Sequence, residues 1–152
     1  MLSSALRSFK ETFEIQGELG RLVEEATEDS QLGVNWGLNM QICDKINRGK
    51  AEDIKDAMRS ISKRLKTTNV SVQVLTLTLL EALVKNCGPE LHLQVATREF
   101  MGELQQLAMP GNADRRVCSK VQHLIQVCPL CCMQACVPSN APARKRHAAN
   151  AT

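Results

Sequence analysis

Hydrophobic residues along the chain recur every three or four positions, the spacing that lays an apolar stripe down one side of a helix. In the first 26 residues they fall at Leu2, Leu6, Phe9 and Phe13, and then at Leu19, Leu22, Val23 and Ala26. Gly17 and Gly20 are expected to divide this run into an N-terminal helical extension, residues 1–17, and the first helix of a main domain. The segment EDSQLGVN reads as a connector, after which Asn35 is placed to cap a helix running from Trp36 to about Asn47. A second connector, RGKAE, leads to the cleanest helix of the chain. From Asp53 to Lys66, the residues Ile54, Ala57, Met58, Ile61 and Leu65 share one face, with acids in the first turn and bases in the last, as the helix dipole prefers.

The next stretch, VSVQVLTLTLLEALVKNCGP, carries a competing period. Val70, Val72 and Val74 alternate with Ser71 and Gln73, and Leu75, Leu77 and Leu79 with Thr76 and Thr78, as in a half-buried strand. The run nevertheless continues to Asn86 without a breaker and stops at Gly88-Pro89, which favours a helix. Being apolar nearly all round, that helix should be central and buried. Helical stretches follow in PELHLQVATREFMGELQQLA and ADRRVCSKVQHLIQ, separated by Met109-Pro110-Gly111. About seven short helices around one buried helix describe an all-α solenoid. Beyond Gln126 the periodicity stops, and residues 127–152 have the Pro, Ala, Ser and Asn bias expected of a disordered tail.

Composition narrows the function classes. With one Trp, three Phe and no Tyr, the core must come from aliphatic residues, Met and Ala. The net charge of +3 resides in the tail: Arg144, Lys145 and Arg146 are unopposed there, and taking them from the 19 bases leaves 16 against 16 acids. A neutral folded region offers no broad cationic face for nucleic acid. Nowhere are there the roughly 18 consecutive apolar residues that a membrane span needs. The charges within MLSSALRSFKETFEI do not suit a secretory signal, so a cytoplasmic protein is expected. Cys43, Cys87 and Cys118 lie far apart in apolar stretches and read as small buried hydrophobes. No Gly-rich phosphate loop, H-E-x-x-H or G-x-S-x-G is present, and His92, His123 and His147 stand in unrelated contexts, so no enzyme, cofactor or metal site is expected. The tail's C-x-x-C-C-x-x-x-C, Cys128, Cys131, Cys132 and Cys136, crowds four thiols around Pro129 with little chain to fold about zinc; an unstructured tail is the simpler reading.

The blocks LVEEAT, NWGLNMQICDKIN, IKDAMRSISKRL, VQVLTLTLLEALVKNCG, HLQVATREF and VCSKVQHLI closely resemble, in order and spacing, the VHS domains of STAM, Hrs and Target-of-Myb adaptors, from about residue 18 to residue 126. The resemblance implies a right-handed α-helical superhelix, which family members complete with an eighth helix. Here the Cys- and Pro-bearing tail replaces the continuation, so that helix is expected to be missing. The apolar faces around Phe100, Leu104, Leu107, Val121 and Leu124 should then lose part of their cover.

Two surfaces are candidates for binding. On the Trp36 helix, Leu38, Ile42 and Ile46 form a core stripe, while Trp36 and Met40 lie together one turn apart, offset by more than a quarter turn. Asn39 falls between the two faces and needs a hydrogen-bond partner if buried. Residues alone leave open whether Trp36 covers the edge of the core or meets a partner. The resemblance implies the latter: in STAM-like domains the Trp and the residue four positions on touch the hydrophobic patch of ubiquitin, flanked by the positions of Asn69, Val70 and Ser71. The expected function is thus a non-catalytic adaptor for endosomal or vesicular sorting, peripheral on endosomal or Golgi-derived membranes, binding ubiquitin on cargo alongside other sorting adaptors. Lys55, Arg59, Lys63 and Lys66 form a basic stripe that would suit phosphoinositide headgroups, although dipole complementarity and a solvated face explain the same residues. A ligand-free spacer is the remaining alternative.

Overall fold

The structure, a computed structural model, describes residues 17–127; the expectations for residues 1–16 and 128–152 lie outside the described residues. It is all-α. Seven helices follow one another among the described residues: α1 (Glu18–Ala26), α2 (Trp36–Arg48), α3 (Ala51–Leu65), α4 (Val70–Asn86), α5 (Pro89–Val95), α6 (Arg98–Ala108) and α7 (Arg115–Val127). The helices pack on one another in a solenoid-like bundle, α1 on α3, α2 and α3 on α4, and α4 and α6 on α7.

Helix α3 fixes both ends of α1. The buried Asp56 carboxylate accepts from the backbone N–H of Gly17 at 3.2 Å and of Gly20 at 2.8 Å, supplying negative charge where the first-turn amides lack partners. Gly20 therefore lies inside α1 and does not divide it, contrary to the sequence expectation; the break is at Gly17, which stands at the N-cap. A Cβ on Gly17 would sit 2.5 Å from Asp56 Oδ2, so the carboxylate's approach requires glycine. At the other end, Arg64 Nε donates to Thr27 Oγ1 at 2.9 Å and its Nη2 to the Thr27 carbonyl at 2.5 Å. A guanidinium at a helix C-terminus complements the dipole from the opposite side.

Helix α4 is the central element and is helical throughout, which resolves the strand ambiguity. Asn69 starts it, its Oδ1 accepting from Ser71 N at 2.9 Å and Val72 N at 3.3 Å. Leu77, Leu79, Leu80 and Leu83 are fully buried, as are polar residues that would be expensive to bury unpaired. Thr76 and Thr78 donate to the carbonyls of Val72 and Val74, and Gln73 Nε2 donates to those of Leu65 and Thr67, both at 2.9 Å, closing the end of α3.

Two further expectations are corrected. The stretch from Pro89 to Ala108 is two helices, because Thr97 caps α6 by accepting from Phe100 N at 3.4 Å. Phe100, Leu104, Val121 and Leu124 are buried and Leu107 is partly buried, so these faces keep their cover: they turn inward, toward α4 and toward each other. Cys43 and Cys87 are buried as expected, whereas Cys118 is half-buried.

Candidate binding surface

Local chemistry sets the orientation of α2. Asn35 caps it as expected, its Oδ1 accepting from Leu38 N at 3.1 Å, and this makes Trp36 the first helical residue. Ile42, Cys43 and Ile46 then point into the core, and Leu38 packs on it half-buried. At 100° per residue Trp36 and Met40 are about 40° apart and one turn along, roughly 6 Å in rise. Both face outward: Trp36 is 59% exposed and Met40 43%. Asp44 continues the same side by one more turn; it is exposed, and no hydrogen bond or ion pair engages it among the described residues. Sequence reasoning passed over Asp44, although the i, i+4, i+8 spacing with Trp36 and Met40 is legible.

Asn39 is only 1% exposed, and its Oδ1 has no hydrogen-bond partner among the described residues. Of the flanking candidates, Asn69 commits its side-chain oxygen to the α4 cap, Val70 packs half-buried on the core, and Ser71 is exposed. Among the described residues no hydrogen bond links Trp36 or Met40 to these three.

The basic stripe is brought together. Lys55, Arg59, Lys63 and Lys66 line one groove of about 570 Å³ between α3 and the α5–α6 region, with Met58 and Phe100 in its floor. Each cation already faces a carboxylate: Lys55 with Glu52 at 3.3 Å, Arg59 with Asp56 at 3.7 Å, Lys63 with Glu24 at 3.5 Å and Lys66 with Glu103 at 2.7 Å. Glu103 is further held by the Ser62 hydroxyl at 2.6 Å. The groove is thus mixed in sign. Among the described residues no three His, Cys, Asp or Glu side chains are grouped to hold a metal, and no helix is long and apolar enough to cross a membrane. His92 packs structurally, its Nε2 bonded to the Val84 carbonyl at 2.9 Å, which ties α5 to α4.

Comparison with known proteins places this arrangement. Residues 14–130 match the VHS domain family. The chain is 43% identical over 99 residues to TOM1-like protein 6 of Arabidopsis thaliana, covering 65% of this chain and 14% of that protein. It is 43% identical over 111 residues to TOM1-like protein 2 of Mus musculus, covering 71% and 22%. To the class E vacuolar protein-sorting machinery protein HSE1 of Mycosarcoma maydis it is 33% identical over 105 residues, covering 69% and 18%. It therefore spans less than a quarter of the length of each of these relatives. Among solved structures, the VHS and FYVE tandem domains of Hrs, a protein involved in membrane trafficking and signal transduction, superpose with a TM-score of 0.60 at 29% identity, covering 74% of this chain and 51% of that one. An ENTH-VHS domain of Arabidopsis thaliana shares the fold, with a TM-score of 0.64 at 18% identity over 84% of this chain and 95% of that one. The chain belongs to the VHS domain family.

Proposed function

We propose that this VHS domain is a non-catalytic adaptor module that binds ubiquitin on sorted membrane proteins, weakly, with Trp36 and Met40 at the centre of the contact and Asn69, Val70 and Ser71 at its edge. One observation carries the reading: the Trp and the Met stand exposed together on a helix whose opposite side supplies the core. Folding gains little from leaving them in water, whereas a partner's apolar patch would bury both. A pair of this size makes a small interface, so the dissociation constant should be roughly submillimolar, and avidity from clustered ubiquitin would supply the rest. The setting implied is the cytoplasmic face of endosomal or Golgi-derived membranes, in company with other sorting adaptors.

The protein-binding reading is preferred to phosphoinositide binding at the α3 groove, because a headgroup there would have to displace the carboxylates already facing the four cations. NMR titration of the labelled chain with ubiquitin tests it. Shifts should cluster at Trp36, Met40 and the start of α4, and Trp36→Ala should weaken binding at least about tenfold while preserving the helical circular-dichroism signal. No shift near Trp36, or unfolding of Trp36→Ala, would place the Trp in the core and end the assignment. Sedimentation with phosphoinositide vesicles, lost on charge reversal at Lys55, Arg59 and Lys63, together with a silent ubiquitin titration, would favour the lipid surface.

A further inference from the structure

Cys43 and Cys87 are 44 residues apart in sequence, yet the fold seats them against each other. Cys87 Sγ donates to the Cys43 carbonyl at 3.8 Å. The juxtaposition is braced. One turn beyond Cys43, Asn47 donates through Nδ2 to the Asn86 carbonyl at 2.9 Å and accepts through Oδ1 from Gly88 N at 3.2 Å, so both neighbours of Cys87 are held by the helix that carries Cys43. Such a clamp fixes the cysteine between them on α2 far more tightly than two packing thiols require.

We propose that Cys43 and Cys87 form a dithiol that hydroperoxides close to an intramolecular disulfide, tying α2 to the C-terminal end of α4. Both sulfurs are free thiols in the structure. Cys87 is 8% exposed against 1% for Cys43, and beside it at the α4–α5 turn its neighbours Asn47, Gly88 and Pro89, though neither cysteine, line a cleft of about 230 Å³. A water molecule takes about 30 Å³, so a small peroxide has room there. The neighbouring Cys87 side chain draws the Cys43 thiol below its ordinary value, while the same neighbourhood and burial push Cys87 up. In the first step one of the two sulfurs bonds to one peroxide oxygen and the O–O bond breaks; the departing oxygen takes the thiol proton and leaves as alcohol or water. In the second, the other sulfur displaces the hydroxyl from the sulfenic acid, the S–S bond forms, and its own thiol proton departs with the hydroxyl as water. Two thiols are oxidised and one peroxide is reduced. Because Met40 lies one turn before Cys43, the cross-link would stiffen the helix that presents the exposed pair, whatever partner that pair meets.

The full chain, with Cys118 and the four cysteines beyond residue 127 changed to Ser, gives the test. Reduced protein is dosed with hydrogen peroxide, alkylated, and mapped by non-reducing peptide mass spectrometry. The expected product is monomeric, with the Cys43 and Cys87 peptides joined, lighter by two hydrogen atoms and released by dithiothreitol. Closing so long a loop should raise Tm by about 5 °C or more. Joining should be at least about tenfold faster in the native chain than in guanidinium, where the Asn47 clamp is lost. Asn47→Ala, which leaves both thiols in place, should slow it with circular dichroism unchanged. The proposal is overturned if both cysteines stay alkylatable after peroxide and later denaturation, if each proceeds to sulfinic acid unjoined, or if joining is no faster in the folded chain.

Discussion

Helices α2 and α4 lie side by side and use apolar residues to opposite ends. Helix α4 is apolar nearly all round, and packing accounts for most of it: neighbours cover Leu77, Leu79, Leu80 and Leu83, and Thr76, Thr78 and Gln73 find carbonyl partners. Helix α2 has fewer apolar residues, yet Trp36 and Met40 remain in water. Hydrophobicity alone would single out α4, the helix whose apolar residues the fold mostly covers, over α2, where a Trp and a Met stay exposed. What distinguishes a surface awaiting a partner is apolar area that the chain's own fold leaves uncovered.

Substitutions can break this contrast, most severely in α4. Leu80→Ala removes a fully buried side chain at the centre of the bundle and should lower stability by about 2–5 kcal/mol in urea unfolding. Gln73→Leu keeps the volume but takes the amide donor from the Leu65 and Thr67 carbonyls; a loss of about 1–3 kcal/mol is expected by the same measurement, with hydrogen exchange rising at the end of α3.

A smaller effect tests the polar edge of α4. The Lys85 ammonium, bonded to Glu81 at 2.6 Å, holds that carboxyl below the usual carboxylate range, and Lys120 of α7 adds to this. A depressed folded value means that the pair stabilises the fold above the ordinary glutamate value of about 4.3 and ceases to do so as pH falls through the folded value. Glu81→Gln should thus be less stable than the wild type by about 0.5–1 kcal/mol at pH 7, the two converging as pH falls below the depressed folded value. The smallest change in stability belongs to an exposed apolar residue: Trp36→Ala should alter unfolding free energy by no more than about 0.5 kcal/mol. A loss as large as that of Leu80→Ala would erase the distinction between the two helices.

Much of this was legible in the sequence because the signals are local. The side-chain cap at Asn35 acts over three residues, the apolar period of α3 spans four turns, and the all-round apolarity of α4 announces its burial. Trp36 and Met40 were also legible as a pair offset from the core stripe, since helix geometry fixes their relative angle. Their exposure was not. Whether an offset face is covered depends on which neighbour packs there and how far it reaches. The Thr97 cap was missed because the apolar period runs on nearly unbroken from Leu91 to Leu104.

The sequence by itself determined an all-helical chain and an aliphatic core, since the helical period, end chemistry and side-chain volume act within a few residues of each other. Only the tertiary structure decided what meets across the bundle. Asp56 and Arg64 read as ordinary helix-surface charges, and became the two caps of α1 once α3 lay alongside it. Asn39 became a buried acceptor without a partner among the described residues. Cys43 and Cys87, indistinguishable in sequence from any other small buried residues, became a pair because Asn47 of α2 grips the turn after α4. Contacts between residues some 40 positions apart leave no period in the chain; they arise from packing whole faces, which sets each side chain's neighbours only when every helix is in place.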